Sequence, residues 1–186
     1  MSNFTRRYQE NEALQKICKF IADIILIIVF AYALITYTCS QVTVSGSSMK
    51  PEIEGNNTVL VNKMAYAFSK PKRYSVIAFE LDNSEMSKKY IKRVVGLPGE
   101  TIQIKDGKIY IDDKELENDV VTTDILTAGI AADKITLGKD EYFVLGDNRN
   151  NSEDSRFSNI GIIKKENIVG AAWMVVMPFD HIHLIK

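Results

Sequence analysis

Residues 20–38 read FIADIILIIVFAYALITYT, a run of 19 residues with one charged side chain, Asp23. At about 1.5 Å of rise per residue, a helix of this length spans roughly 29 Å, close to the ~30 Å hydrocarbon core of a bilayer. The run is long for the apolar region of a cleaved secretory signal, and strand-like sequence follows it. It therefore predicts one membrane-spanning helix that stays attached as an anchor. A buried core helix is the alternative, and Asp23 favours it, although a carboxylate near the helix end can reach the interface.

The residues before this run predict its orientation. Residues 1–19 have a net charge of +2, and the first basic residue on the other side is Lys50. The positive-inside rule then places the N-terminus in the cytoplasm. The predicted organisation is a cytoplasmic segment (1–19), a transmembrane anchor (20–39) and an extracytoplasmic domain (40–186), in which residues 112–139 form a cap or flap.

Composition and charge exclude several classes of protein. The chain has 186 residues, of which 25% are charged and 46% hydrophobic, and a net charge of −1. These values are typical of a folded protein with one core, and they exclude a disordered tail and a collagenous repeat. Balanced charge provides no basic field for nucleic acid, so no nucleic-acid partner is predicted.

The two cysteines, Cys18 and Cys39, flank the predicted helix. Along a helix their Cα atoms are about 31 Å apart, whereas a disulfide needs about 7 Å or less. Neither has a second Cys or a His at the spacing of a zinc site. The sequence therefore predicts neither an intrachain disulfide nor a zinc site.

Beyond residue 40 the sequence changes to short β-rich runs separated by turn residues, which predicts a mainly β fold class for this domain. Asp106-Gly107 separates two of the runs and predicts a type I′ hairpin, because both central positions of that turn need residues that tolerate positive φ. The predicted strands cover residues 41–44, 58–62, 75–79, 90–95, 101–104, 108–111, 141–145 and 168–176.

A first cluster of reactive side chains follows the first strand and reads Ser45-Gly-Ser-Ser-Met-Lys-Pro51. Serine beside glycine and before proline is typical of a turn, so the cluster alone does not establish a nucleophile. Ser47 and Lys50 have the spacing of the Ser-x-x-Lys motif of penicillin-binding enzymes. That motif needs its Lys one helical turn after the Ser, and Pro51 disfavours helix at Lys50. The sequence therefore does not favour that class.

A second cluster begins in a predicted strand and reads Tyr90-Ile-Lys-Arg-Val-Val-Gly-Leu-Pro-Gly-Glu100. In a strand Tyr90, Lys92 and Val94 share one face. If that face is exposed, Lys92 is a solvated lysine on an edge strand. If the face is apolar, burial lowers the pKa of the amine, by up to about 3–5 units, and the neutral amine can act as a base.

A third cluster, residues 146–156, reads GDNRNNSEDSR. One interpretation is a plain polar loop. A calcium loop is not favoured, because Arg149 occupies the third position, where an oxygen ligand is needed, and no Gly stands at the sixth. No metal is assigned. The hydroxyls of the loop are suited to orienting an amine, and alternating Asp and Arg can lock the loop through charge-assisted hydrogen bonds.

Taken together, Ser-Met-Lys-Pro (48–51), Lys-Arg-Val-Val-Gly-Leu-Pro-Gly (92–99) and the loop 146–156 resemble the ordered motifs of bacterial type I signal peptidases. The resemblance covers residues 20 to about 175, and the short chain with one anchor is most similar to the Gram-positive members. It implies an all-β core with a hydrophobic surface resting on the bilayer. It also implies removal of signal peptides from exported preproteins, with no metal or organic cofactor.

The resemblance implies a role for residues in each motif. Ser48 is implied to be the nucleophile and Lys92 the general base of a Ser-Lys dyad, with Ser152 orienting Lys92. The backbone N–H of Ser48 is one expected donor to the oxyanion. The residues expected to contact the oxyanion or substrate are Gly46, Ser47 and Met49, and those expected to hold the loop are Arg93, Asp147, Arg149, Asp154 and Arg156.

Three residues depart from the pattern of that family. Gly46 stands where some members have a Ser, so a hydroxyl donor to the oxyanion would come from Ser45, Ser47 or elsewhere. Ser47 stands where many Gram-positive members have Asp. Glu52 stands where Thr is common, and we expect it to affect rate or substrate preference rather than mechanism.

The predicted function is that of a membrane-anchored serine endopeptidase at the outer face of the cytoplasmic membrane, with preproteins and membrane lipid as partners. One alternative is a catalytically idle relative that assembles pilins or other surface proteins. Another is a self-cleaving repressor with a Ser-Lys dyad, which would need a DNA-binding domain where the anchor lies. His181 and His183 invite comparison with a Ser-His-Asp triad, but their alternation predicts a terminal strand that exposes both imidazoles.

Overall fold

The computed structural model of the chain describes residues 2–81 and 88–186, in two compact units that divide between Thr38 and Cys39. The first unit is the helix α1 (Ser2–Thr38). In its part Leu14–Thr38 no side chain is buried, and this part is long and apolar enough to cross a membrane. The helix extends through most of residues 1–19, for which the sequence predicted no secondary structure.

The second unit is mainly β, which confirms the predicted fold class. Every predicted strand is present, with ends shifted by two residues or fewer. The strands that were not predicted have two residues each, too few for an alternation of apolar and polar residues to be visible in the sequence. The strands are β1 (Cys39–Thr43), β2 (Thr58–Asn62), β3 (Val76–Glu80), β4 (Lys89–Gly96), β5 (Thr101–Lys105), β6 (Lys108–Ile111), β7 (Lys114–Glu115), β8 (Ile135–Thr136), β9 (Glu141–Leu145), β10 (Ile163–Lys164), β11 (Ile168–Met177) and β12 (His183–Leu184). Short 3₁₀ helices cover Gly129–Ala132, Lys165–Asn167 and Phe179–His181.

The larger sheet has the antiparallel order β1-β2-β11-β3-β4-β9-β10, with β12 paired to β11. Three strands therefore separate β1 from β4, which in a flat sheet would put their axes about 19 Å apart. Register shifts interrupt β11 in its pairing with both β2 and β3, and another lies between Val94 and Gly96 of β4. Such irregularities bend strands and increase twist. Residues of β1 and β4 line one cavity, so the sheet curls between these two strands.

The smaller sheet has the order β7-β6-β5-β8. Its β5–β6 hairpin turns at Asp106 and Gly107, whose φ angles are 52° and 79°. Both angles are positive, as a type I′ turn requires, so the predicted hairpin is confirmed. The predicted cap, residues 112–139, contributes β7, β8 and one 3₁₀ helix rather than an independent element.

Apolar residues of both sheets form the core, and three aromatic residues illustrate how it is divided. Phe79 is fully buried and stacks on Tyr90, with ring centroids 5.5 Å apart. Phe68 and Trp173 are 93% and 40% exposed. Of these three residues, only Phe79 belongs to the core.

Candidate active site

The segment after β1 presents Ser48 at a turn. Hydrogen bonds between Val44 and the backbone of Asn56 and Asn57, each 2.9 Å, hold the start of the segment in a hairpin. Beyond the turn, the Met49 side chain is fully buried in the core. The buried Val44 and Met49 therefore anchor both sides of a half-buried Ser48.

Lys92 lies in β4, which is buried on both faces from Ile91 to Gly96. Its side chain is only 4% exposed, and its Nζ lies 2.5 Å from the Oγ of Ser48. The solvated edge-strand interpretation of Lys92 is therefore wrong. The structure brings together the two side chains of the expected dyad, which lie 44 positions apart in the chain.

Burial lowers the pKa of Lys92 to about 8, because the surroundings solvate the ammonium poorly. The carboxylates of Asp154, Glu153 and Asp147 oppose this effect and favour the charged amine. Two of these carboxylates are themselves paired with arginines, Asp147 with Arg93 and Asp154 with Arg156. The pairing offsets part of the negative field at Lys92, so the nearby acids do not cancel the effect of burial.

The loop 146–156 is locked by buried charge pairs. Arg93 donates to both carboxylate oxygens of Asp147, at 2.7 and 2.6 Å. Arg156 donates to both oxygens of Asp154, at 2.8 and 2.9 Å, and Asp154 also accepts from the backbone N–H of Gly146 at 3.0 Å. Each guanidinium is thus matched to a carboxylate in bidentate geometry, which fixes orientation as well as charge.

Gly146 lies where this loop meets the nucleophile. A Cβ on Gly146 would lie 2.5 Å from the carbonyl oxygen of Ser48 and 2.2 Å from Oγ of Ser152. The same carbonyl of Ser48 accepts from the N–H of Asn148 at 3.0 Å. Only glycine permits this approach, and the loop therefore positions the nucleophile directly.

Ser152 is placed differently from the expectation for its role. Its Oγ is buried beside Gly146 and has no hydrogen-bond partner among the described parts of the chain, Lys92 included. The hydrogen-bond partner of the Lys92 amine is Ser48 instead. The assignment of Ser152 as the residue that orients Lys92 stays a prediction.

A cavity of about 1060 Å³ opens beside the dyad. It is lined by Gln41–Val44 of β1 and by Lys88–Lys92 at the start of β4, as well as by Ser45–Ser48 and Asn150–Glu153. Over the described residues, β1 pairs only with β2, and the Lys89–Lys92 half of β4 pairs only with β3. Both strands therefore turn a free backbone edge toward the cavity.

The residues expected to contact the oxyanion or substrate are only partly in place. Gly46 and Ser47 line the cavity, and Ser47 is held by the side chains of Asn148 and Asn151. Met49 does not line it, because its side chain is part of the hydrophobic core. The structure therefore does not support the expected contact between Met49 and substrate. The buried Met49 side chain instead anchors the turn that contains Ser48.

Arg149 has a partner that the sequence did not predict, Asp119 in the segment between β7 and β8. The guanidinium donates to both carboxylate oxygens, at 2.5 and 2.8 Å. A buried arginine requires an acidic partner. The segment 112–139 contains seven acidic residues, so the sequence alone could not identify Asp119.

Hydrogen bonds connect the two histidines to each other and to Glu52. Both imidazoles are exposed, as predicted, but only His183 lies in the terminal strand β12, whereas His181 ends a 3₁₀ helix. His183 contacts the backbone oxygen of Glu52 at 2.9 Å, and the Glu52 carboxylate accepts from the N–H of Lys186 at 2.6 Å. In residues 2–81 and 88–186 neither imidazole hydrogen-bonds with Ser48. The same residues contain no group of three His, Cys, Asp or Glu placed to hold a metal ion.

Comparison with known proteins agrees with the arrangement of motifs. The family described as "Signal peptidase, peptidase S26" matches residues 17–177. The chain is similar to Signal peptidase I P of Bacillus subtilis subsp. natto, with 32% identity over 96% of this chain and 98% of that protein. It is also similar to Signal peptidase I T of Bacillus subtilis strain 168, with 33% identity over 88% of this chain and 86% of that protein.

Solved structures are also similar. One of them is the crystal structure of a signal peptidase I from Enterococcus faecalis, which is 30% identical to this chain. The match covers 55% of this chain and 97% of that one, with a TM-score of 0.42.

Proposed function

Because this chain belongs to the signal peptidase family of S26 peptidases, we propose that Ser48 and Lys92 form the catalytic dyad of a membrane-anchored endopeptidase. Family membership makes the chain a serine peptidase of the type I signal peptidase class, which removes signal peptides. It also confirms the resemblance to Gram-positive members, since several of the relatives are from Bacillus. The contact between Ser48 and the buried Lys92 is the single observation that carries the proposal.

The proposed reaction begins with proton transfer from Ser48 to the neutral amine of Lys92. The Ser48 oxygen attacks the scissile carbonyl as Lys92 takes its proton, and the resulting ammonium protonates the leaving amine. Water then attacks the acyl-enzyme as Lys92 takes its proton. The Lys92 ammonium gives this proton to the Ser48 oxygen, which leaves as the alcohol, and the amine is neutral again. At pH 7 roughly one tenth of an amine with a pKa of about 8 is neutral, enough to supply the base.

The backbone N–H of Ser48 is the proposed donor to the oxyanion. Within the described ranges it donates to no protein acceptor, so it is available for a substrate oxygen. The carbonyl of Ser47, which belongs to the same peptide unit as this N–H, accepts from the side chain of Asn148 and from the N–H of Lys50, each at 3.2 Å. A donor already oriented before the reaction stabilises developing charge without reorganisation.

The free edges of β1 and β4 support binding of the preprotein as an extended strand. Residues 41–44 and 88–92 flank the cavity that contains Ser48 and Lys92. An added strand takes its affinity from backbone hydrogen bonds, and alternate side chains of that strand enter pockets. We propose that two alternate pockets admit small, Ala-like side chains before the scissile bond.

The apolar helix supports attachment to the membrane. The stretch Leu14–Thr38 is long and apolar enough to cross a membrane, and basic residues precede its most apolar part in the sequence. We propose that it crosses the cytoplasmic membrane with the N-terminus inside and Cys39–Lys186 outside. An anchored enzyme shares a thin layer with emerging preproteins, which raises their effective concentration.

The test is cleavage of a signal-peptide-bearing precursor by the purified full-length protein in detergent. We expect one cut, identified by mass spectrometry of the mature product. A precursor with bulky residues at the two positions for small side chains should stay intact. We expect His181→Ala to cleave at the wild-type rate, since His181 is exposed and has no contact with the dyad. If the wild-type protein leaves every precursor intact, the proposal fails and the accessory-protein alternative is favoured.

The pH dependence tests the proposed base. Because Lys92 acts as the neutral amine, kcat/KM for a peptide substrate should rise with pH, with an inflection near the pKa of about 8 of the free enzyme, and level off above it. Steady-state kinetics from about pH 6 to about pH 10 would measure this. A kcat/KM that falls as pH rises through this range would contradict a neutral lysine base.

A further inference from the structure

A segment of the β7–β8 connection, which we call the strap (residues 119–131), is hydrogen-bonded to the loop 146–156 at three places. The carboxylate of Asp119 holds the guanidinium of Arg149. Asn150 accepts from the N–H of Leu126 at 2.9 Å and donates to the carbonyl of Asp124 at 3.0 Å. At the third place, the guanidinium of Arg156 donates to the carbonyl of Thr127, and the carbonyl of Arg156 accepts from the N–H of Ile130. The strap is therefore part of the support of this loop.

Of the three attachments, the Asp119–Arg149 pair is connected to the dyad through the fewest intervening residues. Arg149 donates through Nε to the carbonyl of Gly146 at 3.2 Å. Gly146 is the residue whose Cα abuts the carbonyl of Ser48 and the side chain of Ser152. One guanidinium thus connects the strap to the glycine against which the nucleophile is placed.

The charge pair is poorly solvated on both sides. Arg149 is 2% exposed, and the side chain of Asp119 is 14% exposed. Removing the carboxylate would leave a buried guanidinium without its counterion, and such a charge turns toward other acceptors or toward water. Either movement would pull Arg149 away from Gly146 and loosen the loop beside Lys92.

We propose that Asp119 is a positioning residue for the reaction, and that through Arg149 and Gly146 it sets the approach of Ser48 to Lys92. Among the described residues, Asp119 hydrogen-bonds with neither member of the dyad and does not line the cavity beside them. This inference rests on the proposed Ser48–Lys92 mechanism. It assigns a function to the segment predicted as a cap, which is to hold the catalytic loop in place.

The test compares Asp119→Asn with Glu117→Gln in the full-length protein. Both changes replace a carboxylate by an amide, and Glu117 is an exposed residue two positions before Asp119. We expect Asp119→Asn to lower kcat by about tenfold or more with KM little changed, because small displacements of reacting groups slow chemistry strongly. Glu117→Gln should match the wild type. Wild-type kcat in Asp119→Asn would overturn the inference.

The pH profile separates positioning from loss of folded protein. A loosened loop admits water to Lys92, so the inflection of kcat/KM in Asp119→Asn should move to higher pH. A smaller folded fraction would lower kcat at every pH without moving the inflection, and that result would also overturn the inference. If Asp119→Asn does not fold, Arg149→Lys provides the same readouts, because it keeps the charge pair but not the planar fork that reaches Gly146.

The wild-type protein in the same assay distinguishes two kinds of failure. If it does not cleave precursor, the proposed function fails, and with it this inference. If it cleaves and both Asp119→Asn and Arg149→Lys keep its kcat and pH profile, only the positioning role of Asp119 is wrong.

Discussion

Ser48→Ala is expected to abolish cleavage of a signal-peptide-bearing precursor, with a loss in kcat of at least roughly 10⁴-fold. The variant lacks the oxygen that attacks the carbonyl, and no acyl-enzyme forms. The neighbouring hydroxyls of Ser47 and Ser152 do not replace it, since neither hydrogen-bonds with Lys92 among the described residues. The measurement is product formation over time, at enzyme concentrations high enough to detect a slow residual rate.

The control for this variant is Ser158→Ala, the same chemical change at an exposed serine in the turn that follows the loop. It should cleave like the wild type. Ser48→Ala should keep the wild-type thermal unfolding midpoint, because Met49 and Val44 still anchor the turn. Substantial turnover by a folded Ser48→Ala protein would show that another residue supplies the nucleophile.

Lys92→Met is expected to cause a loss of activity comparable to that of Ser48→Ala. Methionine is unbranched and close to lysine in length, so it fits the buried site, but its thioether cannot take the proton of Ser48. Lys92→Arg should be inactive as well, since its guanidinium stays protonated at any working pH. Initial rates for both variants should be measured up to about pH 10, where a residual base would be most evident.

Lys105→Met serves as the matched control, because Lys105 is an exposed residue of β5 outside the cavity. It should retain wild-type kcat. The Lys92→Met protein should be at least as stable as the wild type, because a buried methionine carries no charge to desolvate. A folded Lys92→Met variant with full activity would remove Lys92 from the mechanism.

Features that depend on neighbours in the chain were evident from the sequence. The strands of β5 and β6 alternate apolar and polar residues, and Asp106-Gly107 tolerates the positive φ angles of the turn between them. The apolar run of α1 is visible because its hydropathy is continuous. The three motifs also specified which serine, lysine and charged loop to consider.

Other features depend on partners that are distant in the chain. Lys92 is buried because both faces of β4 are covered there, although β4 pairs with β9 only from Arg93 onward. The sequence of β4 alternates too weakly to show this burial. A buried Arg149 needs an acidic partner, but the sequence could not distinguish among the seven acidic residues of segment 112–139. The packing of that segment against the loop makes Asp119 the partner. Packing also places the Oγ of Ser152 beside Gly146, with no hydrogen-bond partner in the described part of the chain, and its role in orienting Lys92 stays a prediction.

The amino-acid sequence by itself determined the type of each element and the residues available for chemistry, because short-range backbone preferences and hydrophobic periodicity are local properties. Only the tertiary structure decided that β1 and β4 line one cavity across three intervening strands, and that the Lys92 amine meets Ser48 out of water. Strand order, the curl of the sheet and the solvation of a charge depend on long-range packing of the whole β unit, and no stretch of sequence contains that information alone.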